Sequence, residues 1–108
     1  MAPAIVVVLV TCPGRDVAER IAKALLEARL AACVNITSEL KSFFWWEGKV
    51  EEASEVLMFI KTRAELLDEL IDKVKELHPY EVPEVIALPV TAGSSNYLAW
   101  VKEETKQP

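Results

Sequence analysis

The feature that most limits how this chain can fold is its opening run, Ile5-Val6-Val7-Val8-Leu9-Val10, apolar throughout and mostly β-branched. An amphipathic strand alternates, so a run with no polar residue predicts a central strand with both faces covered. Cys12-Pro13-Gly14 breaks the run, and Val56-Leu57-Met58-Phe59-Ile60 is a second run of the same kind. Two helices follow these strands in the pattern. Val17, Ile21, Leu25 and Ala28 share a helical face, with Ala18, Ala22 and Ala32 small enough to sit close to a sheet. Asp16 with Glu19 reads as its capping box, and the helix fades near Arg29-Leu30. Thr62 with Glu65 reads as a second capping box, ahead of the stripe Leu66, Leu70, Val74 and Leu77. Glu69 precedes Lys73 by four residues, the order that favours an ion pair, and Pro79 ends the helix.

Between the helices, Ala31–Ile36 and the aromatic stretch Ser42-Phe43-Phe44-Trp45-Trp46 predict a strand that turns at Glu47-Gly48 and returns from Val50 as a long hairpin. Val85–Val90 predicts a last strand, and Pro89, which cannot donate to a ladder, puts it at an edge. Ser94 or Ser95 caps a terminal helix carrying Tyr97, Leu98, Trp100 and Val101, and Lys106–Pro108 is expected to fray. The order β-α-β-β-α-β plus a helix predicts an α+β, ferredoxin-like sandwich with strands one and three central. Residues 1–108 are read as one domain.

The hairpin predicts self-association. Four consecutive aromatics cannot all enter one core, because strand side chains alternate. An uncovered aromatic edge is an aggregation hazard, and a chain this short has little left to cover it. A second copy is the expected cover. The net charge of -5 argues against nucleic acid and against anionic membranes. No run reaches the length of a membrane span. Cys12 and Cys33 lack a Cys-x-x-Cys spacing, and reduced thiols predict a reducing, cytoplasmic location. Scarce Asn and Gln beside abundant Glu hint at a heat-adapted source.

Five blocks then form a recognisable series: Thr11-Cys12-Pro13; Arg29-Leu30-Ala31-Ala32-Cys33-Val34-Asn35-Ile36; Trp45-Trp46-Glu47-Gly48-Lys49 with Glu55 and Lys61-Thr62; Leu77-His78-Pro79-Tyr80-Glu81-Val82-Pro83-Glu84; and Tyr97-Leu98-Ala99-Trp100. From about Ile5 to Glu104 the chain resembles the CutA divalent-cation-tolerance family. The resemblance implies a homotrimer joined through the long hairpins, with PII-like architecture and ligand clefts between subunits. It implies a role in tolerance of divalent cations, copper above all, and no settled enzyme activity. Copper ligation in relatives is associated with the position of His78, a neighbouring histidine and a first-strand cysteine. Here Leu77 and Val10 hold the other two positions.

Candidate site residues follow. His78, the lone histidine, is the candidate ligand for copper(II) or another divalent cation, against a plain role bonding helix-end carbonyls. Cys33, Trp46, Lys61, Tyr80 and Glu81 are the candidate lining of an intersubunit cleft, with Trp46 as a wall and Glu84 beside them. Cys33 reads better as a small buried thiol, and Cys12 equally as a thiolate favoured at a helix start or an exposed, inert thiol. Asp68, Asp72 and Glu76 read as a solvated helix face. No phosphate loop, nucleophile elbow or zinc-hydrolase motif is present, so the expected function is a trimeric metal-response protein. The alternative is a PII-like sensor of a small anionic ligand.

Overall fold

The computed structural model describes residues 4–107. Strands β1 (Ile5–Cys12), β2 (Cys33–Ile36), β3 (Leu40–Trp46), β4 (Lys49–Arg63) and β5 (Val85–Pro89) alternate with helices α1 (Arg15–Glu27), α2 (Leu67–Leu77) and α3 (Ser95–Glu104). The sheet order is β2-β4-β1-β5, with β3 pairing β4 farther along. All four pairings are antiparallel. This is the α+β, ferredoxin-like arrangement, its second strand split into β2 and β3. The two apolar runs take the central places, and Pro89 falls on the edge strand opposite Val6.

The register assigns each face. Val6, Val8, Val10 and Cys12 lie beside Val56, Met58 and Ile60 and meet Ala18, Ile21, Ala22 and Leu25 of α1 and Leu66, Leu70 and Val74 around α2. The stripe on α1 is thus rotated toward its alanines, which let helix and sheet approach closely. The opposite face carries Val7, Leu9, Leu57 and Phe59, only partly covered, with Ile86 and Leu88 exposed. α3 lies over one end of it and buries Val101, whereas Tyr97 and Trp100 stay half-exposed. The protomer therefore covers β1 fully on one side only, not on both as its sequence predicts.

Neither predicted capping box forms. Gly14 is the N-cap of α1, and Asp16 sits in the first turn with no side-chain bond to the cap. Thr62 remains in β4, fully buried, and donates its hydroxyl to the Leu30 carbonyl at 2.6 Å. A 3₁₀ turn at Ala64–Leu66 starts the second helix instead. At the end of α1, Arg29 adopts φ 58°, Arg29 N–H donates to Leu26 and Leu30 N–H to Leu25. This is a Schellman closure with arginine where glycine is usual. His78 ends α2 with ψ 135°, the extended conformation required before Pro79. Ser94 caps α3 by accepting from Tyr97 N–H.

Two ion pairs differ from expectation. Glu69 binds Lys106, not Lys73, and Lys73 reaches Glu76 at 3.7 Å. Lys106 N–H also donates to the Arg29 carbonyl, so the tail is pinned at Lys106 where fraying was expected. Pro108 lies outside the described residues.

The hairpin closes at Glu47 (φ 49°) and Gly48 (φ 78°), two left-handed residues between the paired Trp46 and Lys49. That is a type I′ turn, whose twist matches the strands. At the other end, β2 pairs Ile36 with Met58 but β3 pairs Leu40 with Glu55. One side of the break therefore holds one more residue than the other, a bulge. Thr37 seals it: its N–H donates to the Leu57 carbonyl and its hydroxyl accepts from Leu57 N–H, both at 2.9 Å.

Candidate functional site: an acidic, aromatic groove

The bulge fixes which aromatics face where. Directly paired residues point to one side of a ribbon, so Ser42, Phe44 and Trp46 share a face with Glu51, Ala53 and Glu55. Phe43, Trp45, Val50 and Glu52 take the other face, where Lys41 meets Glu52 at 3.4 Å. The loop after α2 folds under the arm and encloses a groove of about 780 Å³. Its lining is Thr11, Ser42, the aromatic run 43–46, Glu51, Glu52, Glu55, Tyr80, Glu81, Val82 and Glu84. Five of these residues are carboxylates and none is a lysine or arginine, although Glu52 turns to the outer face and pairs with Lys41.

A chain of hydrogen bonds ties the loop to the sheet. Tyr80 N–H donates to His78 Nδ1 at 3.1 Å, so the proton of the neutral ring is on Nε2, which lies 2.7 Å from the Thr11 carbonyl and donates to it. The rings of His78 and Tyr80 stand 4.7 Å apart. Tyr80 in turn donates its hydroxyl to Glu55 Oε2 at 2.9 Å. Glu55 is only 5% exposed. His78 is thus a buried positioning residue with both ring nitrogens engaged, and a metal ion would have to displace one of those bonds. Among the described residues, no cluster of three or more His, Cys, Asp or Glu side chains is arranged to hold a metal ion.

The expected cleft residues divide into two places. Trp46, Tyr80 and Glu81 line the groove. Cys33 and Lys61 do not; they sit opposite each other on β2 and β4, where Lys61 Nζ binds Asn35 Oδ1. Lys61 is six residues beyond Glu55, about 20 Å along a strand. Cys33 is half-buried beside Tyr97, whose hydroxyl is pushed up by burial and then by that thiol. Cys12 is neither exposed nor activated. It is buried against Met58, and burial, then the charge of Glu55, pushes its thiol up to about 11. Both cysteines are free. Thr11 and Glu55 stood in the family blocks but were not proposed as site residues, and Glu51 and Glu52 were not named from sequence at all. The signal for Glu55 was a carboxylate at the mouth of an apolar strand run.

Burial, followed by the hydrogen bond to Glu55 and that residue's charge, pushes Tyr80 up to about 12. The protonated phenol is favoured in the fold, so its contribution to stability is whole below the ordinary value of 10.0 and is lost as pH rises toward 12. Cys12 adds a loss of the same sign from 9.0 toward 11. Denaturant midpoints are expected to hold up to about pH 9 and then fall. Tyr80→Phe should remove the phenolate step near 12 from the ultraviolet absorbance. A Tyr80 midpoint near 10 would contradict this geometry.

A split-strand ferredoxin-like sheet with a projecting hairpin over an acidic groove defines a PII-like protein. The chain belongs to the CutA1 divalent ion tolerance family, whose model matches residues 6–104. It is 55% identical over 97 residues to Protein CutA of Homo sapiens, covering 90% of this chain and 54% of that one. It is 50% identical over 99 residues to the divalent-cation tolerance protein CutA of Thermus thermophilus, covering 92% of this chain and 96% of that one. The chain therefore spans about half the length of its human relative and nearly all of the bacterial one. The solved Thermus thermophilus structure superposes with a TM-score of 0.93 at 49% identity, covering 94% of this chain and 99% of that one. The CutA1 structure from the psychrotrophic Shewanella gives 0.96 at 39% identity, covering 99% and 100%.

Proposed function

We propose that the chain acts in tolerance of divalent cations as a cytoplasmic, non-enzymatic homotrimer, collecting cations in the groove. The observation that carries this reading is the groove's charge: Glu51, Glu55, Glu81 and Glu84, with no lysine or arginine in the lining, around a cavity of about 780 Å³. Such a cleft concentrates cations and repels anions. The relatives named divalent-cation tolerance proteins support the same role. Exposed aromatics on the outer face of the arm support assembly, and two free cysteines fit a reducing compartment. Copper(II) binding is then modest and carried by carboxylates, because His78 is committed to the backbone. A PII-like sensor shares this groove, but the lining favours a cationic ligand over an anionic one.

Calorimetry with Cu²⁺ on the assembled protein tests the reading. Binding is expected to survive in His78→Ala and to weaken severalfold in a Glu51→Gln/Glu81→Gln double variant. A flat wild-type isotherm would overturn it.

A further inference from the structure

We infer that the groove is a site for a linear aliphatic polyammonium ion. The inference rests on the cation-binding reading of the groove and narrows it to a ligand class. A bare metal ion needs several oxygens converging on one point at about 2.0–2.6 Å. The carboxylates here are instead strung out: Glu51 and Glu55 lie on one strand face four residues apart, about 13 Å. A chain of ammonium groups joined by methylenes matches that spacing, whereas a single compact cation reaches fewer of these carboxylates at once.

The walls fit the rest of such a ligand. Phe44 and Trp46 stand on the same face as Glu51 and Glu55, and Tyr80 closes the far side. Aromatic faces attract ammonium groups and pack against methylenes. The innermost anchor is Glu55. Its Oε2 takes the Tyr80 hydroxyl, and its Oε1 accepts no hydrogen bond among the described residues. No fully buried side-chain oxygen lacks a partner among the described residues, so the unbonded Oε1 keeps some solvent access on a residue that lines the groove. A carboxylate this buried with a free oxygen calls for a donor that brings positive charge. An ammonium group supplies three donors and no acceptor, complementing a lining that presents mainly acceptors.

Isothermal titration of the assembled protein with spermidine tests the inference, with Mg²⁺ at matched ionic strength and a neutral alkanediol as comparators. Spermidine is expected to bind, the diol not, and Mg²⁺ not to displace spermidine at equal charge. Glu55→Gln, which keeps shape and an acceptor, should weaken binding about tenfold or more. Trp46→Leu, at the exposed tip and safe for folding, should weaken it about threefold. Glu76→Gln removes the same charge from α2 outside the groove and should change little. Equal weakening by Glu55→Gln and Glu76→Gln, or equal competition by Mg²⁺, would reduce spermidine binding to general charge screening and overturn the site. Cu²⁺ binding without spermidine binding sinks this inference alone; loss of both sinks the groove as a cation site.

Discussion

A chain carrying Phe43→Ser and Trp45→Ser together is expected to elute as a 12.1 kDa monomer, and the parent, on the proposed assembly, as a trimer. Phe43 is 65% exposed, Trp45 74% and Val50 59% in one protomer, all on the outer face of the arm. β3 pairs only with β4, so its second edge is also open. Rings of this size, once buried in an interface, typically contribute about 2 kcal/mol or more each on truncation. Three copies of two rings are enough to abolish assembly at micromolar concentration. The substitutions touch no core contact, so the far-ultraviolet spectrum of the monomer should be retained. Light scattering at low micromolar concentration decides the matter. A monomeric parent, or a double variant that stays trimeric, would remove the arm from the account of assembly.

Leu25→Ala is expected to cost about 3–5 kcal/mol of protomer stability. Leu25 is fully buried between α1 and the sheet, and Leu30, tucked in by the Schellman closure, is buried in the same core. Truncation leaves a cavity in which neither helix nor sheet can easily collapse, because alanines already bring them close. Leu26, one residue on and 40% exposed, should lose under about 1 kcal/mol on the same change. Denaturant unfolding is best read in the Phe43→Ser/Trp45→Ser background, so that subunit association does not mask the loss. Equal losses at Leu25 and Leu26 would contradict the packing described.

Most of the architecture was legible because its signals were long and periodic. The two apolar runs fixed the central strands, Pro89 an edge, and Pro79 a helix end. The misses were local. Thr62 looked like a cap, but its hydroxyl had a buried carbonyl to satisfy across the sheet, and that tertiary demand outweighed the capping pattern. Arg29 carries no turn signal, since glycine or asparagine is the usual mark of a left-handed helix end. The site was half legible. Trp46, Tyr80 and Glu81 converge because the prolines around them stiffen one loop beneath the arm. Lys61 shares a sequence block with Trp46, and Cys33 comes from the block before it, but the two pair with each other a strand's length away. Glu55 was noticed in the hairpin block but given no site role, because a lone carboxylate beside apolar residues reads as surface until its neighbours are seen to bury it.

The bulge sealed by Thr37 sets the parity of everything beyond it. In β2 the even-numbered side chains, Val34 and Ile36, turn toward the helices; past the break, the even-numbered Phe44 and Trp46 turn away from that layer and roof the cavity. Shorten the break by one position and the arm is turned inside out like a sleeve, exchanging the faces of Phe43 and Trp45 with those of Phe44 and Trp46. A single residue of spacing thus divides four adjacent rings between two faces, one turned to the proposed ligand and one to the proposed neighbour.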